Sequence, residues 1–159
     1  MKRLVIILLF LICLNVQAES SVVTLDKCVD GDTAWFNYNG NREKFRFLAL
    51  DTPETVHPAK QIEAYGKDAS EYTCNLLSNA KKLVVQFDDG SEKLDKYDRY
   101  LAWIWVDDEL LQEKLISVGY GKVAYIYGDY LYTKSLCKVQ SSVYKEKLGL
   151  WKDEKSQGY

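Results

Sequence analysis

The order of elements along the chain predicts an α+β fold, a small five-stranded β-barrel carrying three helices. Three strand-like segments precede the first helical pattern, two more follow it, and two helical patterns close the chain. Strands and helices do not alternate regularly, which disfavours a doubly wound parallel sheet. With 159 residues, 47% hydrophobic and 28% charged, the chain has the size and composition of one soluble domain. A disordered chain, a collagen-like repeat and a polytopic membrane protein are excluded. Two prolines and nine glycines leave no low-complexity linker, and no internal repeat is visible.

Residues 1–18 read as a secretory signal peptide. Lys2 and Arg3 give a positive start, Leu4–Leu14 is an unbroken apolar run, and Val16-Gln17-Ala18 is a small-residue cleavage site. The run is 11 residues long, far short of the roughly 20 needed to span a bilayer. Cys13 does not read as a lipidated residue, because Ile12 before it is not small. The mature chain is expected to start near Glu19, to form a single domain over 19–152 and to end in a flexible polar tail, 153–159. The expected product is a secreted monomer, periplasmic or extracellular, without stable membrane association.

Each element has its own signal. Val22–Leu25 and Ala34–Tyr38 are rich in β-branched and aromatic residues, and Asn39-Gly40 follows as a hairpin turn. Lys44–Leu50 is the third strand. Phe45, Phe47 and Ala49 lie on one face and Leu48 and Leu50 on the other, so burial on both sides is expected. A loop with both prolines, Pro53 and Pro58, leads to a helix over Tyr65–Ala80. Its apolar face is Tyr65, Ala69, Tyr72, Leu76 and Ala80. Lys82–Phe87 is the fourth strand, Asp88-Asp89-Gly90 a turn and Tyr100–Val106 the fifth strand. Helices over Glu109–Val118 and Thr133–Leu148 end at Gly119 and Gly149. Leu136, Val139 and Val143 share a face of the second. Five short strands interrupted by one helix suit a partly open barrel of the OB type.

Charge narrows the function. Without Lys2 and Arg3 the mature chain has 19 basic and 23 acidic residues, net −4. Coating nucleic acid through bulk charge is therefore excluded, and an anionic substrate would need a local cation cluster with a metal ion. The single histidine, His57, excludes a two-histidine mechanism or a poly-His zinc site. Cys28, Cys74 and Cys137 permit one bridge or none. Cys74 lies away from the apolar stripe of its helix, which points to exposure, and no bridge is predicted.

Three clusters carry possible chemistry. Asp30-Gly31-Asp32-Thr33 is turn chemistry when read alone. Arg46 shares a strand face with Leu48 and Leu50 and needs an anion, either a nearby carboxylate or a substrate phosphate. Asp51, Thr52 and Glu54 follow where that strand emerges, with hard oxygen donors suited to calcium or magnesium. Asp32 would add a third carboxylate if the two loops meet. Asp95-Lys96-Tyr97-Asp98-Arg99 is either a solvated turn or a phosphate site. Lys122, Tyr125 and Tyr127 suit phosphate contact and base stacking, or packing on the barrel.

In this order the clusters resemble the staphylococcal nuclease (thermonuclease) family. The resemblance runs from Asp30-Gly31-Asp32-Thr33 through Phe45-Arg46, Asp51-Thr52-Pro53-Glu54-Thr55, Tyr65-Gly66, Asp95-Lys96-Tyr97, Arg99 and Leu101-Ala102. It continues through Lys122-Val123-Ala124-Tyr125 to Glu146–Trp151, about residues 22 to 151 in all. It implies a five-stranded OB barrel with three helices and a calcium ion held by Asp32, Asp51 and the carbonyl of Thr52. It implies Glu54 as the catalytic carboxylate acting on water, and Arg46 and Arg99 as phosphate clamps. Lys96, Tyr97, Tyr125 and Tyr127 match nucleotide-binding positions, and Lys60 a basic loop position near the site. The implied activity is hydrolysis of DNA and RNA with little sequence preference, leaving 3′-phosphate ends. One departure stands out: Asp98 precedes Arg99 where many relatives carry glycine, and it could divert the guanidinium. The alternatives are an OB module that binds nucleic acid or protein without cutting, and an oligosaccharide-binding barrel. Retention of Asp32, Arg46, Asp51, Glu54 and Arg99 favours the nuclease.

Overall fold

The computed structural model describes residues 18–55 and 64–152. The apolar run of the signal peptide, the 153–159 tail, His57 and Lys60 lie outside the described residues.

The chain begins with β1 (Ser20–Cys28), β2 (Thr33–Tyr38) and β3 (Asn41–Phe47). Asn39 and Gly40 both take positive φ between β2 and β3, the type I′ geometry that the Asn-Gly pair predicts. The strand expected over Lys44–Leu50 stops at Phe47. Ala49 enters the left-handed region at φ 56° and turns Leu50–Asp51 out as a separate short strand, β4. Burial on both sides of this stretch is as expected: Phe45, Phe47, Leu48, Ala49 and Leu50 are all buried.

Next come α1 (Gly66–Asn79), β5 (Leu83–Gln86) and β6 (Tyr100–Val106). Asp107 and Asp108 then take positive φ, and Glu109–Leu110 folds back on β6 as β7. The helix expected from Glu109 therefore starts later, as α2 (Leu111–Ser117). Gly119 ends it at φ 74°. A short β8 (Lys122–Val123) pairs with β4, and α3 (Thr133–Glu146) completes the fold before a 3-10 turn at Gly149–Trp151.

The five long strands run in the order β3-β2-β1-β5-β6, and a parallel pairing of β3 with β6 closes the ring. The barrel is thus closed rather than partly open. β1 serves both halves, pairing with β5 through Ser20–Val23 and with β2 through Thr24–Cys28. An irregularity between Leu25 and Lys27 bends it, as a bulge does at a barrel corner.

Phe36, Tyr38, Phe45, Phe87 and Tyr100 meet inside the ring, mostly edge-on or tilted, with Phe45 stacked on Tyr100. Each buried aromatic or aliphatic side chain contributes roughly 1.5–3 kcal/mol by leaving water. Buried Gln112 of α2 accepts from Ile104 N and donates to Leu48 O and Ala102 O, which fastens α2 to the barrel floor. Asp88, expected only as a turn residue, is buried and accepts from Trp103 Nε1, Gly90 N and Leu131 N.

On α1 the buried positions are Gly66, Ala69, Thr73 and Leu77. Tyr72, Leu76 and Ala80 only flank the core. The inward face is rotated by one residue from the expected stripe, and this rotation corrects the reading of Cys74. Cys74 comes to the barrel side and forms a disulfide with Cys28 at the end of β1. Cys137 is free and exposed.

Candidate active site

Asp32 sits where the β1–β2 loop enters β2. An Asx turn forms there, with Asp32 N donating to Asp30 Oδ1 at 3.1 Å. The main chain is fixed on both sides: Phe47 N donates to Asp32 O, and Thr73 Oγ1 of α1 donates to Gly31 O. Gly31 does more than permit a turn. A Cβ there would lie 2.6 Å from Thr52 Oγ1, so only glycine lets this loop approach the Asp51–Thr52 segment.

The two loops do meet. Thr52 N and Thr52 Oγ1 both donate to Asp32 Oδ2, at 3.0 and 3.1 Å. Thr33 Oγ1 donates to Asp32 Oδ1. Arg46 of β3 lies between the carboxylates, with Nη1 2.7 Å from Asp32 Oδ1 and Nη2 3.7 Å from Asp51 Oδ1. The first contact is an ion pair rather than an aligned hydrogen bond, for buried Nη1 has no acceptor in hydrogen-bonding geometry among the described residues. Burial lifts the Asp32 carboxyl to about 6, against the pull of Arg46 and with a push from Asp30.

Asp51 is presented by the β4–β8 pairing, which sets it opposite Lys122. Lys122 Nζ lies 3.4 Å from Asp51 Oδ2. Tyr125 turns back through a left-handed φ of 56°. Its hydroxyl donates to Asp51 Oδ1 at 3.5 Å, and its ring centroid lies 5.4 Å from the Arg46 guanidinium. Burial and the Asp51 charge hold the Tyr125 phenol protonated beyond its ordinary range. Glu54 is exposed just beyond Thr52, and the start of α1 packs against its backbone, since a Cβ on Gly66 would lie 2.8 Å from Glu54 O.

The Asp95–Arg99 segment is a separate construction. Arg99 Nη2 and Nε each lie 2.7 Å from Asp95 Oδ2, and Asp95 Oδ1 accepts from the backbone N of Arg99 and of Tyr97. Burial raises the Asp95 carboxyl, but these donors outweigh it and hold the group below its ordinary value. Tyr97 is exposed, with Lys96 Nζ 4.9 Å and the Arg99 guanidinium 5.4 Å from its ring. Asp95 and not Asp98 captures Arg99. Asp98 instead occupies a left-handed turn position at φ 58°, which aspartate tolerates better than most residues. The β3–β6 pairing places Arg46 opposite Leu101, so this turn enters the ladder two residues from Arg46.

Asp32, Arg46, Asp51, Thr52 and Tyr125 are thus brought together. Lys96, Tyr97 and Arg99 form a neighbouring cluster, and Tyr127 stands well exposed beyond Tyr125. Sequence reasoning missed Thr33, Thr73 and Asp95 as supports of the site. The register Thr33↔Arg46 could not be read before the strands were paired.

The donor set suits a hard divalent cation. Two carboxylates and a backbone carbonyl are oxygen ligands, and a cation would relieve the burial that lifts Asp32. No group of three or more His, Cys, Asp or Glu side chains able to hold a metal occurs among the described residues.

Comparison with known proteins shows the family. Residues 44–153 match the model of the staphylococcal nuclease homologue family. An SPbeta prophage-derived endonuclease YokF from Bacillus subtilis (strain 168) is 42% identical over 81% of this chain and 43% of its own length. An endonuclease YncB of the same organism is 45% identical over 66% of this chain and 49% of its own. The chain spans about half the length of these two relatives. A thermonuclease from Staphylococcus hyicus is 30% identical over 85% of this chain and 78% of its own length. A closed five-stranded barrel, three helices and a match over more than half its residues make this chain a member of the staphylococcal nuclease homologue family.

Proposed function

We propose that the protein is a calcium-dependent endonuclease that hydrolyses DNA and RNA with little sequence preference and leaves 3′-phosphate ends. The observation that carries this reading is the meeting of the Asp32 loop with Asp51 and Thr52 around the Arg46 guanidinium. The names of the relatives, endonucleases and a thermonuclease, support it.

Asp32, Asp51 and the Thr52 carbonyl would hold calcium, which supplies Lewis-acid polarisation of a phosphodiester when bound. The protein's own groups do the rest. A phosphodiester is anionic and repels an attacking oxygen anion, so its charge must be offset first. Arg46, held beside Asp32 and Asp51, brings its guanidinium to a phosphate oxygen that gains charge in the transition state. Arg99 supplies the second guanidinium from the Asp95 turn. Glu54, exposed beside Thr52, orients or deprotonates the attacking water. Lys96, Tyr97, Tyr125 and Tyr127 hold the terminal phosphate and the base, with Lys60 as a further cation. Burial first, and then the Asp51 charge, raise the Tyr125 phenol further above its ordinary value, so its hydroxyl stays a donor.

Export is part of the same proposal. The Cys28–Cys74 disulfide supports it, because such bonds form and persist in oxidising compartments. The test is digestion of plasmid DNA and of RNA by residues 19–159, with calcium and then with excess chelator, followed by end-group analysis. Cutting that stops with chelator and leaves 3′-phosphates is expected. A folded, calcium-loaded protein that binds either polymer without cutting it would overturn the nuclease in favour of a binding module.

A further inference from the structure

We propose that the outer face of the β2–β3 hairpin is a binding track for a single nucleic-acid strand, leading from Arg46 through Lys44 to Arg42. The inference rests on the nuclease reading and extends it to residues with no role there. Side chains alternate along a strand. Phe45 and Phe47 point into the core, so Arg42, Lys44 and Arg46 share the outward face of β3. Their spacing, two residues per step, is about 6.8 Å, comparable with the phosphate repeat of an extended strand.

The neighbouring strands complete the surface. The register sets Thr33 beside Arg46, Trp35 beside Lys44 and Asn37 beside Arg42, and on β1 sets Lys27 beside Trp35. The Arg42 guanidinium lies 4.1 Å, and Lys44 Nζ 5.8 Å, from the half-buried Trp35 ring. Two cations therefore lie against one indole beyond the active site, and a third, Lys27, is its cross-strand neighbour. Arg42 is paired with Asp26 at 2.6 Å, and Arg46, at the active-site end, with Asp32 and Asp51.

Stability alone would set opposite charges side by side on an exposed sheet face, because like neighbours repel. Here cations run in a row along one strand of a chain whose mature net charge is −4. A polyanion lying along β3 supplies an anion to Lys44 and competes with Asp26 for Arg42. An aromatic platform flanked by cations is the chemistry that takes single strands without sequence preference. A duplex could not stack a base on Trp35 without opening.

The experiment separates this inference from the nuclease reading. Binding of fluorescein-labelled oligothymidylates of 4 and 12 nucleotides is measured by anisotropy in chelator across a salt series. Hydrolysis of the 12-mer and of a small aryl ester of thymidine phosphate is measured with calcium. The Arg42→Gln/Lys44→Gln pair should weaken 12-mer binding at least tenfold at low salt. It should also flatten the log–log salt slope by about 1.4, at roughly 0.7 per lost phosphate contact. Trp35→Ala should weaken 12-mer binding without changing that slope, and turnover of the aryl ester should stay at the wild-type rate in all variants. Retention of wild-type 12-mer affinity and salt slope by the folded double variant would overturn the track. If wild-type protein cuts neither substrate, the nuclease reading fails while the binding data still judge the track.

Discussion

Arg46 and Arg99 are given the same task in the proposed reaction, but the fold holds them in opposite ways. Arg46 projects from the closed ladder toward buried Asp32 and half-buried Asp51, and its side chain is 12% exposed. Arg99 leaves an open turn, gripped by Asp95 four residues away, and sits against a tyrosine that is 65% exposed. One region is assembled from β2, β3, β4, β8 and α1 and cannot form until the barrel closes. The other is a local motif of five residues. Preorganisation is thus concentrated where a cation would sit, and adaptability where a strand must enter and leave.

The largest expected effect that sharpens this contrast is on Arg46. Arg46→Ala removes a phosphate donor and also leaves Asp32 buried without its cation. Both activity and stability should fall, the latter by about 3–5 kcal/mol, as for other broken buried pairs. Arg99→Ala should cut turnover by about 10²–10³-fold while the melting temperature stays within a few degrees. Equal loss of stability in both variants would break the comparison. Glu54→Gln should lower turnover by about 10²–10⁴-fold with unchanged melting, since its side chain is exposed.

The disulfide comes next. It closes a 46-residue separation between β1 and α1, and in the loop-entropy picture its removal costs about 4 kcal/mol. Cys28→Ser/Cys74→Ser should melt well below wild type in urea. Because Thr73 holds Gly31 O, the variant should also lose calcium affinity, whereas the Asp95–Arg99 turn should be untouched.

Acidification should act with opposite sign on the two regions, and this is the smallest effect. Asp32 has a folded-state value of about 6, above its ordinary 3.8. Its contribution to stability is fully present below 3.8 and is lost as pH rises through 6. Asp95 is lowered, so its contribution is present above 3.8 and is lost as pH falls through its lower folded value. Calcium competes with the proton on Asp32. The calcium-induced rise in melting temperature should therefore be full at pH 8 and shrink as pH falls through 6.

What could be read in advance divides along the same line. Strand 33–38 and helix 66–79 were legible because periodicity and the Asn39-Gly40 turn are local. The residues of the site were legible only as separate clusters, since nothing local says that Asp32 and Thr52, twenty positions apart, share two hydrogen bonds. Gly31 reads as a turn glycine, but its reason for being glycine is Thr52. The face of α1 was displaced by one residue because Tyr72 and Leu76 are larger and more apolar than Thr73. The helix instead turns inward the side carrying Thr73 and Cys74, where a carbonyl and a cysteine await them.

Gly31→Ala isolates the contact between the two loops, because it pushes a methyl group to within 2.6 Å of Thr52 Oγ1 and alters no proposed ligand or catalytic group. Plasmid cleavage in calcium and the far-ultraviolet melting curve are measured on the same preparation. The barrel should still melt cooperatively, with cleavage and calcium affinity both reduced at least a hundredfold as the two loops part. Cleavage at the wild-type rate would show that the meeting of Asp32 with Thr52 is not what makes the site.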